Sequence, residues 1–383
     1  MNGNIFICRA LKLALAAILL GNPTSSSRAE NPPSTIKRPP PVVVVFQDPT
    51  LVQQFKIDEP RTESAIDQSV AKLLNEPSPK EAWARLFKAG DKVSIHFTAT
   101  GEAANTPPHA ILEKIVRDLL AVGVSPDDIV IWDKMEDALL ASQYTPGEKI
   151  AGAQVEAVVP GAGFDPSLFY FNEIAGKLIW GDHDFVGKRE SPADLAAKAV
   201  KKDKDELPDP KPEVPDQISN KSYFTNLVTQ ADKIINVSIL TDHPDLGIYG
   251  ASASLAMSSV DNNRRFYNDN VRGDPAIGEI LTHKAFKNKV VLHIMLGLIA
   301  QYAGGPTFRP HYTNSAGLIL VGQDPVAIDT IALQYLEQWR EDSLVIPIGS
   351  DAKYLKSAAA LGAGTCDLKK IVVIHMGKGT SLP

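Results

Sequence analysis

The sequence predicts an α/β protein, a layered fold with a mostly parallel sheet flanked by helices. Two observations carry this. Between Lys92 and Trp132 the apolar residues run strand, helix, strand. On both sides of that unit, short β-branched runs alternate with segments that carry helix-start signals.

Val42 to Phe46 is wholly apolar and β-branched apart from its last residue, the pattern of a buried strand. Thr62 to Leu74 places Ala65, Ile66, Ser69, Val70 and Leu73 at helical spacing. Ser78-Pro79-Lys80-Glu81 is a capping box with proline at the first helical position, opening a helix to about Lys88 that Gly90 ends. Lys92 to Thr98 alternates as a strand. Thr106-Pro107 opens a helix whose apolar face is Ile111, Leu112, Ile115, Leu119 and Leu120, and Gly123 closes it. Ile129 to Trp132 is the second strand, and a crossover of this length makes the two strands parallel. Gln154 to Val159 and Lys177 to Trp180 read as further strands.

The second half repeats the alternation. Helices are expected over Tyr223 to Ala231, from Asp274-Pro275 to about Phe286, from Asp324-Pro325 through Trp339, and over Lys353 to Leu361. Strands are expected at Lys233 to Ile239, Lys289 to Ile294, Gly317 to Val321 and Lys369 to His375. Residues 187–219 break the pattern with a charged run, Lys201 to Glu206, and a proline-rich stretch. They read as a solvated insertion in one α/β domain over residues 42–383.

The amino-terminal segment reads as a secretory leader. Arg9 and Lys12 precede an apolar run from Leu13 to Leu20, then Gly21 and Pro23, then Ser27-Arg28-Ala29 with small residues at the two cleavage positions. The run is shorter than the ~20 residues that span a bilayer, so no integral membrane anchor is expected. Residues 1–29 are thus expected to be removed and 30–41 to form an exposed lead-in, with the protein periplasmic or extracellular. The 383 residues are 44% hydrophobic and 22% charged, an ordinary globular balance. The formal net charge of −6 falls to about −9 when Arg9, Lys12 and Arg28 leave with the leader. That charge gives no electrostatic reason to bind nucleic acid. Of the two cysteines, Cys8 lies in the leader, so Cys366 alone remains. No internal disulfide and no Cys-ligated iron–sulfur cluster can form from one thiol.

Several segments resemble a bacterial and archaeal family, domain-of-unknown-function family 362. They are Lys92-Val-Ser-Ile-His96, Thr106-Pro107, Ile129-Val-Ile-Trp-Asp133, Ile234 to His243, Asp261-Asn-Asn-Arg-Arg-Phe266, Gly304-Gly-Pro306 and Gly317-Leu-Ile-Leu-Val-Gly-Gln-Asp-Pro-Val-Ala-Ile-Asp329. The likeness spans roughly residues 90–375. The chain departs from the family's pattern at Thr241, or Leu240 in a shifted alignment, where a lysine precedes the Asp-His pair; at Gly250 to Ser254, where the pattern is Gly-Ala-Leu-Lys-Asn; and at Leu296, where it has aspartate. The resemblance therefore implies the family's fold with a polar site that lacks two cations and a carboxylate.

In an open parallel sheet, ligands bind outside the carboxyl ends of the strands. Asp133, Asp242 with His243, His293, Asp324 and His375 all follow expected strand ends. Asp324 either caps its helix or stands beside an anion held by the helix amino terminus. Asp329 favours the early helix by its charge alone. Asp242 and His243 either stabilise a turn or, with Asp133 or Asp329, hold a divalent metal. Arg264, Arg265 and Arg309 are either solvated or donors to a small-molecule anion, and His96 reads as a core histidine. Two functions are open on these residues. One is a non-catalytic anion-binding or structural derivative of the family. The other is a metal- or anion-dependent enzyme; the cofactor is unknown. No nucleophile elbow, phosphate loop or His-Glu-x-x-His occurs.

Amino-terminal sequencing of the exported protein is expected to begin at Glu30. A retained Met1 would sink the reading of residues 1–29.

Overall fold

The computed structural model describes residues 39–189, 216–268 and 270–379. The leader, most of the lead-in, and residues 190–215 of the charged stretch lie outside the described residues. All elements below belong to the unit Pro40–Pro383.

The strands, in chain order, are β1 (Val42–Gln47), β2 (Val52–Gln53), β3 (Lys56–Ile57), β4 (Val93–Phe97), β5 (Ile129–Met135), β6 (Lys149–Ile150), β7 (Ala153–Val159), β8 (Phe164–Lys177), β9 (Ile218–Thr225), β10 (Lys233–His243), β11 (Gly247–Ile248), β12 (Val290–Gln301), β13 (Thr313–Asn314), β14 (Leu318–Gly322) and β15 (Val372–Gly377). The main sheet has the order β15-β1-β14-β12-β10-β4-β5-β7-β6, with β11 paired to β10 and β13 to β12. β12, β10, β4, β5 and β7 are parallel neighbours, as are β15 and β1. β14 runs antiparallel to both β1 and β12, and β6 antiparallel to β7. The sheet is thus mixed and mostly parallel, as expected. β2–β3 and β8–β9 form separate antiparallel pairs.

Strand residues alternate between two apolar cores, the signature of a sheet covered on both faces. Ile95, Phe97, Ile235, Val237, Ile319 and Val321 join one core with α1 (Glu59–Leu74), α2 (Pro79–Leu86) and α3 (His109–Ala121). A short α4 (Glu136–Ala141) follows β5, and α5 (Asn226–Thr229) follows β9. Trp132, Ile234, Leu240, Leu318 and Leu320 join the other core with α6 (Ala251–Ser258), α7 (Ala276–Thr282), α8 (Pro325–Asp342) and α9 (Tyr354–Ala360). The cap of α2 lies where the sequence puts it, and α1 starts at Glu59 with a cap that the sequence reading did not name. Asp58 accepts from Arg61 N at the start of α1, and Ser78 Oγ both accepts from Glu81 N and meets its carboxylate. Among the described residues, no helix is long and apolar enough to cross a membrane.

Four local expectations are corrected. Tyr223 to Ala231 is the end of β9 and the single turn of α5, not one helix; Thr225 is buried and caps that turn. Lys177 to Trp180 is not a strand, because the strand is β8, which ends at Lys177. The charged stretch does not reach 219, since β9 begins at Ile218. The helix after Asp274 starts at Ala276 without a side-chain cap, and ends at Thr282.

The Asp-Pro-Val-Ala-Ile-Asp segment fixes two helices at once. Asp324 Oδ1 accepts from Ala327 N at 2.8 Å and caps its own helix, α8. Asp329, buried one turn further on, caps α6 instead: Ala251 N and Ser252 N donate to its two oxygens at 2.6 and 2.9 Å, and Tyr354 Oη donates at 3.3 Å. Burial pushes its carboxyl up to about 6, against these donors. A Cβ at Gly250 would lie 2.2 Å from Asp329 Oδ1, so only glycine admits this approach. Asp329→Ala strands two buried N–H groups and is expected to cost about 2–3 kcal/mol, with Asp329→Asn costing less. Urea midpoints at unchanged m would show this, and a loss under about 0.5 kcal/mol would refute the capping role.

Candidate functional site

The parallel strands end together. After β4 the chain gives Thr98, Ala99 and Thr100; β5 ends in Asp133, Lys134 and Met135; β7 gives Val159; β10 ends in Thr241 and His243. These carboxyl ends floor a cleft of about 630 Å³. Its walls are Ile179, Trp180 and Asp182 after β8, Tyr249, the end of α6 at Met257 and Ser258, and the loop from Asn262 to Tyr267.

Asp133 is held rigidly on the floor. Ala99 N and Lys134 N donate to it at 2.8 and 2.7 Å, and Ser258 Oγ, from the last turn of α6, donates at 2.8 Å. Behind it lies a row of buried polar side chains on neighbouring strands: His96, Asn236 and His293, which are register partners. Asn236 Nδ2 donates to Ala251 O at 2.8 Å and faces His293 Nδ1 at 3.1 Å. Asn236 Oδ1 must then accept from His96 Nδ1, at 2.7 Å. His96 Nε2 is left without a hydrogen-bond partner, 3.5 Å from Asp133 Oδ1. Burial, and then the nearby His96, push His293 down to about 3.

Asp182 and Asp261 are also engaged, whereas the carboxylate of Asp245, on the same lining, makes no hydrogen bond among the described residues. Asp182 accepts from Ile179 N and Asn262 N at 2.9 and 2.8 Å. Asp261, beside the cleft, accepts from His183 N and Tyr223 N, and burial pushes it up to about 6. The cations differ. Lys134 Nζ donates to a single backbone carbonyl, Val260 O, at 2.8 Å, and among the described residues neither it nor Arg264 has an ion-pair partner. Burial pushes Lys134 down to about 8, against the attraction of Asp182, Asp261 and Asp133. His243 stacks on Tyr249 and lies tilted against Tyr267, its ring centroid 5.6 and 5.4 Å from theirs. Burial holds it down to about 4 and both tyrosines above their ordinary range.

The eight candidates separate. Asp133, His243 and Arg264 line the cleft. Asp242 turns its carboxylate to Arg340 at 3.0 Å and Gly305 N at 2.9 Å, so it and His243 do not converge on a common point in the cleft. His243 Nδ1 instead accepts from Asp245 N. Arg265 is buried rather than solvated; it donates to Ile174 O and to Ser222 Oγ, fastening β8. Asp324 and Asp329 are the caps described above, and Arg309 is exposed away from the cleft lining. His293 lies inside β12 rather than after a strand, and His375 lies inside β15. Among the described residues no group of three or more His, Cys, Asp or Glu could hold a metal ion. Sequence reasoning missed Lys134, Tyr249, Tyr267 and Asp182. Lys134 carried a signal, being the next residue after a strand-end aspartate.

Residues 180–334 match the model of a family described as a domain of unknown function (DUF362). That span holds the segments from Ile234 to Asp329 and excludes those between Lys92 and Asp133. A crystal structure of a protein from Thermotoga maritima is similar at 11% identity and a TM-score of 0.38, over 77% of this chain and 61% of that one. The chain thus spans about three fifths of that protein's length. No curated protein matches.

Acid is expected to destabilise the fold through His293. The unfolded chain takes up this proton near pH 6.5 and the folded chain only near 3, so stability falls as pH drops below 6.5. Each pH unit inside that window is worth about 1.4 kcal/mol. His293→Gln removes the contribution, while Asp261 and Asp329 act equally in both proteins. The stability difference between wild type and variant should therefore shrink by about 2 kcal/mol from pH 7 to pH 5. Parallel denaturation curves would contradict the neutral buried imidazole.

Proposed function

We propose that the cleft binds a small organic anion with an apolar body. The observation that carries this is the unequal use of charge. Asp133 and Asp182 are occupied by backbone N–H groups, whereas Lys134 and Arg264 have no carboxylate partner among the described residues. An ammonium and a guanidinium with no carboxylate in contact keep donors available for the oxygens of an anion. Trp180, Met257, Tyr249 and Tyr267 give the body of such a ligand an apolar and aromatic wall.

The departures from the family's pattern fit this reading. Thr241 and Leu296 are buried without charge, and Ala253 packs in the core inside α6. A lysine at 253 would be buried among apolar side chains. The positive charge of the site then comes from Lys134 and Arg264 instead. A metal-dependent reaction has no ligand set to support it among the described residues.

Benzoate, pyruvate, citrate and inorganic phosphate can be tested by thermal shift and calorimetry. At least one organic carboxylate is expected to raise the melting temperature, and Arg264→Ala to weaken its binding about tenfold, or about 1.4 kcal/mol. Phosphate alone binding, or affinity unchanged in Arg264→Ala, would count against the proposal.

A further inference from the structure

We infer that Lys134 is a nucleophilic amine, and that the cleft takes small oxo acids, which it binds as a reversible imine. This rests on the anion-binding reading and names the ligand class.

The geometry of Lys134 is unusual for a lysine near carboxylates. The residue lines the cleft and is half-buried, and its Nζ is fastened by one bond to Val260 O at 2.8 Å. Asp133 is adjacent in sequence, and Asp182 and Asp261 are near enough to attract it, yet none forms an ion pair with it. Their oxygens point to Ala99 N, Lys134 N, Ser258 Oγ, Ile179 N, Asn262 N and His183 N. An ammonium in this position loses hydration without gaining a counter-ion, which favours the neutral amine. Arg264 on the same cleft adds like charge and supplies a donor for the carboxylate of an oxo acid. Tyr249 and Tyr267 also line the cleft and keep their protons, so they can donate to a departing oxygen.

The step balances without a redox partner. Neutral Nζ adds to the carbonyl carbon and forms the C–N bond. The carbonyl oxygen then leaves as water with the two amine hydrogens, giving the imine. The step reverses on adding water back.

Pyruvate with cyanoborohydride tests this on the full chain. At pH 7 one reduced pyruvate per chain should map to Lys134, forming on the order of a hundredfold faster than on exposed lysines of ordinary pKa. Benzoate, an anion with no carbonyl, should protect it, and Arg264→Ala should slow it about tenfold. Lys134→Arg keeps the charge and should abolish the specific adduct. Labelling spread over surface lysines, with Lys134 no faster, overturns the inference. If benzoate binds with Arg264 dependence but Lys134 is not labelled, the inference fails and the anion reading stands. If no anion binds and Lys134 is not labelled, both fall.

Discussion

The carboxylate of Asp329 is the constraint on which the arrangement of the cleft depends. It joins α8 to the amino terminus of α6 through two backbone N–H bonds, across a gap only Gly250 allows. α6 is buried along its whole length, so its position is set by packing on every side and by this cap. Its other end carries Ser258 to Asp133. A displacement at the cap would be carried along eight helical residues to the cleft floor. The Gly-Gln-Asp-Pro-Val-Ala-Ile-Asp segment is thus explained by helix geometry: one aspartate starts its own helix and the other starts a neighbour's.

The buried polar row is the second organising feature. His96, Asn236 and His293 occupy the helix-covered face where an all-parallel sheet would ordinarily place aliphatic side chains. Asn236 makes the row tolerable, because it satisfies an imidazole on each side and the carbonyl of Ala251 as well. The row thereby ties three strands to α6 by hydrogen bonds that require one rotamer of the amide. His96 Nε2 is the one ring nitrogen of the pair next to Asp133 that this arrangement leaves unmatched.

The layered fold was legible because it rests on local signals. Ser78 and Asp324 cap the helices they precede, and the alternation of Lys92 to Thr98 matches β4. The errors came where tertiary contacts override local pattern. Tyr223 and Phe224 have helical neighbours in sequence, yet extend a strand because β8 offers them a ladder. The site was partly legible: Asp133, His243 and Arg264 reach the cleft. Asp242 and Arg265 do not, because each finds a partner far away in sequence, Arg340 and Ile174 O. Such partners leave no mark in the residues around them. Lys134 was passed over because only the surrounding hydrogen bonds show that it lacks a counter-ion.

The topology also dictates an order of assembly. β1, with the sequence VVVVFQ, pairs only with β14 and β15 in the sheet. Its first hydrogen-bonding partner lies more than 250 residues downstream. During synthesis this apolar, uncharged strand emerges early and waits for nearly the whole chain before its edges can close. Its central residues have the composition of an aggregation-prone segment, flanked by prolines 39–41 and Asp48-Pro49. Those prolines cannot extend a ladder. They act as stops that limit how far a foreign strand could pair with β1 before β14 arrives.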